Sequence, residues 1–174
     1  MISKKVILIL ALTIITSNVT VVAQEAKTVV ANEVKVDLIA IESEAKEFIS
    51  SMFNFFQTGL IEDAEKVFSK DAILIGTDEA EYYTGWEEVK PSIIAQQAAI
   101  KDAKFDTRNL RLTVSSCGTM VAYTSVVDFS FTAGGEPGKI SNVRNSGSIV
   151  KDNGKWSITQ IHWSMGVAGQ VVEY

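Results

Sequence analysis

The sequence has few of the residues that form disulfide bonds and zinc sites, namely cysteine and histidine. Cys117 is the only cysteine and His162 the only histidine in 174 residues. A chain with one cysteine has no internal disulfide, so its hydrophobic core has to hold the fold together. One cysteine and one histidine also exclude zinc sites of the usual Cys/His kinds. We interpret Cys117, in "SSCGT", as an incidental thiol in a turn, with an intermolecular disulfide as the alternative.

Positive charge is scarce as well. Lysine and arginine number 16 against 21 acidic residues, the net charge is -5, and no lysine or arginine cluster is present. Phosphates repel such a chain, so nucleic acid and anionic membrane surfaces are not expected partners. The sequence also lacks a Gly-x-Ser-x-Gly motif, a phosphate-binding loop and a dinucleotide fingerprint. We therefore expect no cofactor and no metal.

The first residues, "MISKKVILILALTIITSNVTVVA", have the pattern of a secretory signal peptide. Lys4 and Lys5 precede an apolar run that is shorter than the roughly 20 residues of a membrane span. We predict a signal peptide over residues 1–23, with cleavage after Ala23; an uncleaved anchor is the alternative. Cleavage removes two lysines and no acid, which moves the net charge from -5 to -7. The mature chain is then expected to be secreted or periplasmic, without stable membrane insertion.

Residues 24–36 are predicted to form a flexible leader, and helices follow it. Apolar residues recur at helical spacing from Asp37, which can cap the helix, to Gly59, which can end it. A second helix is predicted over "LIEDAEKVFS" and a strand over "DAILIG". A third helix is predicted over "WEEVKPSIIAQQAAIKD", starting near residues 88–90 or kinked at Pro91.

After Ala103 the apolar period falls to two, which is typical of strands. Four strands are predicted, over "FDTRNLRLTVS", "TMVAYTSVVDFSF", "ISNVRNSGSIVK" and "KWSITQIHWSM", with a tight turn at Asn153-Gly154 and a longer loop over "TAGGEPGK". Gly147 is interpreted as a bend or bulge. Helices followed by a meander predict an α+β domain over residues 37–166, in which N-terminal helices pack into a strongly curved antiparallel sheet. Residues 167–174 are predicted to be a C-terminal tail.

Two segments, "LIGTDEAEYYTGWEEVKPSI" and "RNSGSIVKDNGKWSITQIHWSMG", resemble the SnoaL-like branch of the nuclear transport factor 2-like superfamily. The resemblance rests on the strand ending in Gly-Thr-Asp, the Tyr-Thr-Gly segment before a helix, and the terminal Gly-x-Trp-x-Ile…His-x-Ser run. It implies a cystatin-like α+β cone whose open end is an apolar pocket, commonly in a homodimer. Members of this superfold include isomerases, cyclases, dehydratases and noncatalytic binding modules.

His162, Arg144 and Asp128 are the candidate catalytic residues. Strand alternation places His162 on the even-numbered face with Trp156, where it could act as a base or a hydrogen-bond donor. Arg144 could bind an anionic group, and whether it shares that face depends on a bulge at Gly147. Asp128 interrupts an apolar strand and could be a general base if it is buried. The alternatives are a histidine satisfied by its neighbours without chemistry, and an outward-facing Asp128.

Tyr82, Tyr83 and Trp86 lie where the resemblance places a pocket rim, and Ser164 is grouped with them as a candidate ligand-binding residue. Such aromatic side chains bury a large area and keep a polar tip for a ligand. The alternative for the three aromatic residues is packing of the loop onto the third helix. The acidic loop "TDEAE" is interpreted as solvated and not as a metal site.

The resulting hypothesis is an exported SnoaL-like protein whose pocket binds a small, partly apolar molecule. Cofactor-free acid/base activity of the isomerase, cyclase or lyase type is possible for such a pocket. The alternative is a noncatalytic binding or dimeric interaction module of the cell envelope. A homodimer is expected from the resemblance alone. Residues converging within hydrogen-bond reach in a deep cavity would favour catalysis, and a pocket filled by Phe and Trp side chains would favour the interaction role.

Overall fold

The structure, a computed structural model, describes residues 36–166. The signal peptide predicted for residues 1–23, all but the last residue of the predicted leader, and the predicted tail 167–174 lie outside the described residues. Between residues 36 and 166, no helix combines the length and the hydropathy needed to cross a membrane.

The helices begin at the predicted cap. Asp37 Oδ1 accepts hydrogen bonds from the backbone N–H groups of Ile39 (3.1 Å) and Ala40 (3.0 Å), which satisfies two of the free donors at the helix start. Gly59, with φ of +69°, ends the helical stretch as predicted. The four helices are α1 Leu38–Ser51, α2 Phe55–Thr58, α3 Ile61–Glu65 and α4 Trp86–Ala99.

The prediction of one continuous helix from Asp37 to Gly59 is wrong at Met52–Asn54, where the chain turns. Met52, Phe53 and Phe55 are all buried. On a continuous helix, 3.6 residues per turn would spread these three side chains around the axis. The break turns all three towards the core, so burial of the aromatic residues outweighs helix continuity.

Two other boundaries differ from the prediction. The second predicted helix, which is α3, ends at Glu65. The chain is already a strand at Phe68, because the Phe68 side chain packs into the core on the sheet. The third predicted helix, α4, starts at Trp86, the first residue of the predicted segment and not at residues 88–90, and it ends at Ala99, before the end of that segment; Gly85, with φ of +82°, precedes it. Pro91 lies inside this helix.

The sheet has six strands and is curved and unclosed. The last four strands pair with their successive neighbours, which confirms the predicted meander. One pairing, of the first strand with the last, is parallel, and the other four are antiparallel. The order is β2-β1-β6-β5-β4-β3, with β1 Phe68–Ile75, β2 Tyr82–Thr84, β3 Ile100–Val114, β4 Met120–Ala133, β5 Glu136–Asp152 and β6 Lys155–Ser164.

Two tight turns connect the last three strands. Asn153 (φ +48°) and Gly154 (φ +79°) make the predicted two-residue turn between β5 and β6. The longer loop predicted over "TAGGEPGK" is wrong, because β4 runs on to Ala133 and β5 starts at Glu136. Only Gly134 and Gly135, both at positive φ, form the connection.

A bulge in β6 changes which residues face the core. The pairs Ile149–Ile158 and Ser148–Gln160 leave Thr159 without a partner on β5. Before the bulge the even-numbered Ile158 is fully buried, and after it the odd-numbered Ile161 is fully buried. An extra residue reverses the alternation of a strand. The prediction that His162 shares a face with Trp156 is therefore wrong.

Similar shifts occur in β3 and β5. Asn109 (φ +55°) and Asn142 (φ +62°) lie at these shifts, in a backbone conformation that asparagine adopts more readily than most residues. On β5 the inward-facing residue changes from the odd-numbered Val143 to the even-numbered Ile140 across the bulge.

The strand register is continuous on both sides of Gly147, so the predicted bulge does not lie at this residue. A side chain at this position would collide with the backbone carbonyl oxygen of Gln160, and its Cβ would lie 2.7 Å from Tyr123 Oη. The glycine therefore permits a close approach of β6 and of the Tyr123 ring to β5. The core fills the concave side of the sheet, where α1, α2 and α4 supply Ile49, Phe55 and Ile93.

Candidate functional site

The concave side of the sheet contains a cavity of about 210 Å³. Its walls come from α2 and the turn before it, α4, every strand except β2, the loop that joins β1 to β2, and Met165 after β6. Most of the wall is apolar, and seven aromatic side chains contribute to it: Phe53, Phe55, Phe56, Phe68, Phe105, Phe129 and Trp163. This composition is typical of sites for small apolar molecules.

The aromatic wall is held together by ring contacts. The Phe105 ring lies 4.6 Å from that of Phe129, at 18°, and 4.9 Å from that of Phe53. The Trp163 ring lies 5.0 Å from Phe53. Offset contacts at these distances are favourable for aromatic pairs. Phe105, Phe129 and Trp163 are only half-buried, so part of each ring is free to contact a ligand.

One side of the cavity is polar. Glu81 Oε2 accepts hydrogen bonds from the backbone N–H groups of Thr77 (2.9 Å) and Asp78 (3.1 Å), which ties the β1–β2 loop into a compact turn. Thr77, Glu81 and Gln96 are the polar side chains that line the cavity, and Glu81 is its only ionisable residue within 36–166. The carboxylate lies against Gly76, where a Cβ would collide with it.

Beside the cavity, three polar side chains are buried on the inner face of β4 and β5. Tyr123, Ser125 and Asn145 are 3%, 6% and 1% exposed, and Tyr123 Oη, Ser125 Oγ and Asn145 Oδ1 have no hydrogen-bond partner within residues 36–166. Burial raises the pKa of Tyr123. The nearby Asn145 amide opposes this rise in part, although no hydrogen bond of normal length joins the two groups. Asn145 pairs with Trp163, so this cluster lies next to the cavity wall on the same face of the sheet.

His162 lies on the outer, convex face of the sheet. It stands between Ile161 and Trp163, which both line the cavity, and neighbouring residues of a strand point to opposite faces. His162 is half-buried and pairs with Ser146 on β5. Its catalytic role stays a prediction that this position does not support.

Arg144 and Ser164 pair with each other across β5 and β6. Arg144 is exposed and follows Val143, which lines the cavity, so Arg144 also faces outward. Arg144 and His162 therefore share a face, but it is the face opposite the cavity. Neither Arg144 nor Ser164 lines the cavity, and their roles in binding or catalysis stay predictions.

Asp128 lies on the outer face and stabilises the bulge in β5 by a hydrogen bond to its backbone. Its Oδ1 accepts hydrogen bonds from the Asn142 backbone N–H (2.9 Å) and from Arg108 Nη2 (3.1 Å), and Lys139 Nζ lies 3.6 Å from its Oδ2. The Asn142 N–H, and then the charges of Arg108 and Lys139, hold the pKa of Asp128 below its usual value. A general base would need the opposite shift, so its role as a base also stays a prediction without support from the geometry.

Tyr82, Tyr83 and Trp86 lie next to the polar side of the cavity but do not line it. Tyr82 is 60% exposed, and Tyr83 packs partly against the core. Trp86 is buried and stacks on Phe68 with the ring centroids 5.6 Å apart. Their roles as ligand-binding residues stay predictions, and the Trp86 ring packs helix α4 against strand β1.

Two further features are separate from the cavity lining. Cys117 is exposed in the β3–β4 turn, where the hydroxyls of Ser115 and Thr119 lower the pKa of its thiol to about 7. Residues 36–166 contain no group of three or more His, Cys, Asp or Glu side chains placed to hold a metal ion.

The residues that line the cavity were visible in the sequence only as core residues. Helical spacing predicts a packing role for the phenylalanines of the first helical stretch, which is one part of their role. Phe105 and Phe129 had no distinguishing signal beyond strand alternation. The sequence places Glu81 in an acidic loop that we interpret as solvated. The signal that distinguishes Glu81 is Gly76, the glycine before the loop, which leaves room for the carboxylate.

Comparisons with known proteins agree with this architecture. The family described as SnoaL-like domain matches residues 45–168, more than half of the chain. A search of curated proteins finds none that matches. A nuclear transport factor 2-like superfamily protein from Salmonella enterica has a similar structure, with a TM-score of 0.66, 15% identity, and coverage of 78% of this chain and 99% of that one.

Two proposed dehydratases have similar structures. One, of the nuclear transport factor 2-like family, comes from Streptomyces avermitilis (TM-score 0.67, 11% identity, 75% of this chain and 99% of that one). The other, a proposed scytalone dehydratase, comes from Novosphingobium aromaticivorans (TM-score 0.65, 16% identity, 78% of this chain and 93% of that one). At these identities the likeness shows the shared fold.

Proposed function

The chain belongs to the SnoaL-like domain family, and from that premise we propose that it binds a small aromatic or alicyclic molecule in the cavity on the concave side of its sheet. The observation that carries the proposal is the lining itself. Seven aromatic side chains surround a hollow of about 210 Å³, and an apolar cavity of roughly 150 Å³ already accommodates benzene in another protein. The cavity therefore suits a ligand of one ring or two small ones.

The expected affinity follows from the buried area. An aromatic ring that loses about 150 Å² of apolar surface gains roughly 4 kcal/mol at 25 cal/mol per Å². Association entropy offsets part of this gain, so a bare ring should bind weakly. A ligand of higher affinity must also use the polar side of the cavity at Thr77, Glu81 and Gln96.

Acid/base turnover is a second candidate, and one observation favours it. Glu81 places a carboxylate on the lining, and two of the structural relatives are proposed dehydratases. Proton abstraction also needs a group that stabilises the developing negative charge. His162, Arg144 and Asp128 lie on the outer face, so any such reaction would have to rely on Glu81 and the two uncharged polar residues. Binding without turnover is therefore the function that we propose first.

Binding can be tested with 2-naphthalenemethanol as a neutral probe, by calorimetry and ligand-observed NMR. Phe129→Ala should weaken the probe's affinity about tenfold, because it removes a ring from the wall. His162→Ala should leave the affinity unchanged, since His162 is the outward-facing neighbour of Ile161 and Trp163. Equal loss in both variants, or no binding to the unmodified protein, would refute the proposal. Mass spectrometry of molecules that co-purify with the protein would identify the natural ligand and any turnover product.

Export and dimerisation belong to the same proposal. The signal-peptide pattern of residues 1–23 supports export, and N-terminal sequencing of the mature protein should begin at Gln24. The family resemblance supports a homodimer, which light scattering would detect as about twice the mass of the chain. Protein with an uncleaved N-terminus in the cell membrane fraction would contradict cleavage and export. A monomeric mass at high protein concentration would contradict the homodimer.

A further inference from the structure

The charge distribution around the cavity is one-sided. Glu81 is its only ionisable lining residue, and no lysine, arginine or histidine lines it within the part of the chain that the structure describes. The cationic side chains Arg108, Lys139 and Arg144 belong to strands β3 and β5 but do not line the cavity. A ligand in the cavity thus meets a carboxylate and no compensating cation.

The carboxylate is held in place and keeps one oxygen available. Glu81 Oε2 accepts the N–H groups of Thr77 and Asp78, at 2.9 and 3.1 Å. Oε1 has no hydrogen-bond partner within residues 36–166. Gly76, which also lines the cavity, leaves the space that the carboxylate occupies. The loop thus fixes Glu81 with one acceptor oxygen free for a ligand.

The other polar side chains add acceptors. Gln96 donates one of its two side-chain N–H groups to Ser92 Oγ at 3.1 Å, which leaves its amide carbonyl oxygen to accept and its second N–H to donate. The Thr77 hydroxyl can accept or donate. Only the Glu81 carboxylate is restricted to accepting, so the preference for a ligand group that donates hydrogen bonds comes from Glu81, and Thr77 and Gln96 can serve either kind of group.

Two interactions would stabilise a positive charge on the ligand: one with the Glu81 carboxylate and one with the aromatic ring faces. Charges interact more strongly beside apolar walls than in water, so Glu81 should attract a cation and repel an anion. The faces of the aromatic side chains attract an ammonium group through the ring quadrupole. Both effects act against a carboxylate on the same ring system.

We propose that the cavity selects a lipophilic amine, with the protonated nitrogen at Glu81 and the ring system against the aromatic wall. This inference rests on the proposed binding function and adds the chemical class of the ligand. Neutral alcohols of the same shape rank second, because they can still donate a hydrogen bond to the carboxylate. Aromatic carboxylates rank last.

Three probes on one ring system test this order: 2-naphthylmethylamine, 2-naphthalenemethanol and 2-naphthoate, at pH 7 and low salt. We expect the amine to bind at least about tenfold more tightly than the carboxylate, with the alcohol between them. In Glu81→Gln the amine-to-carboxylate ratio should fall towards one. Glutamine keeps a carbonyl oxygen for the Thr77 and Asp78 N–H groups, so the loop should retain its shape.

Glu79→Gln is the matched control. Glu79 is an exposed acid of the same loop and does not line the cavity, so the change in net charge is identical and the affinity order should persist. Ratios of affinities within one variant are insensitive to the fraction of folded protein. A ratio that Glu81→Gln leaves unchanged, or equal binding of amine and carboxylate to the unmodified protein, would overturn the inference. If the alcohol also fails to bind, the proposed function fails with it; if the alcohol binds without charge selection, only this inference fails.

Discussion

The two faces of the sheet differ in chemistry although the same strands build both. The inner face carries Phe105, Phe129 and Trp163, which line the cavity. The outer face carries His162, Arg144 and Asp128, the residues with the most conspicuous chemistry in the sequence. Adjacent residues of one strand supply opposite faces, so Trp163 and His162 are neighbours in sequence and belong to different environments. The difference teaches that strand position, and not residue type, decides which side chains a ligand can meet.

The largest expected effect is a difference in the free energy of unfolding between substitutions at two adjacent positions of β6, one on each face of the sheet. Ile161→Ala should lower the free energy of unfolding by about 2–5 kcal/mol, because Ile161 is fully buried and its truncation leaves a cavity. His162→Ala should change it by only about 0.5 kcal/mol, as for a typical surface substitution. Urea denaturation of the two variants measures both values. A larger loss in His162→Ala would place the histidine in the core and reverse the assignment of faces.

A second comparison concerns adjacent positions of β5. Gly147→Ala should cost about 1–3 kcal/mol, because the added Cβ meets the Gln160 carbonyl oxygen and the Tyr123 hydroxyl. Ser146→Ala, on the outer face, should be close to neutral. Thermal unfolding followed by circular dichroism compares them. Equal stability of the two variants would mean that β5 and β6 are not packed as closely as the structure has them.

Removing a polar group from the buried cluster of Tyr123, Ser125 and Asn145, beside the cavity wall, should have a smaller effect on stability, and the change should not be a loss. Tyr123→Phe should leave the free energy of unfolding unchanged or raise it by up to about 1 kcal/mol, since the hydroxyl is buried without a partner. Tyr82→Phe, at an exposed position, is the control and should be neutral. A loss of stability in Tyr123→Phe would show that the hydroxyl makes a hydrogen bond in solution.

The smallest expected effect is a change in how the stability of the protein depends on pH, and it concerns Asp128 on the outer face. The folded-state pKa of Asp128 is lowered, so its stabilising contribution is present above the unfolded-state value of about 4 and is lost as the pH falls through the folded-state value. Asp128→Asn should therefore lose less stability than the unmodified protein between about pH 7 and pH 3. Urea unfolding midpoints at the two pH values measure this difference. The same acid sensitivity in both proteins would mean that Asp128 is not held by Asn142, Arg108 and Lys139.

The bulges explain which parts of the site could be predicted. Odd-numbered residues of β4 face inward without interruption from Val121 to Phe131, so the period of two in the sequence is enough to separate the two faces of this strand. In β6 the extra residue at Thr159 reverses the alternation, and no residue type there signals it. The misplacement of His162 follows from that single residue. The bulge in β5 has an asparagine at positive φ, a signal that is too common in turns to identify a bulge by itself.

The sequence by itself determined the class of the fold. Helical spacing before Ala103, alternation after it, the Asp37 cap and the Asn153-Gly154 turn are local features, and each acts over a few residues. Only the tertiary structure decided the site, because the cavity is made by side chains from seven separate elements and the loop between β1 and β2. The pairing of strands and the positions of the register shifts set which of those side chains meet. These depend on contacts between residues that are far apart in the chain, which local periodicity does not encode.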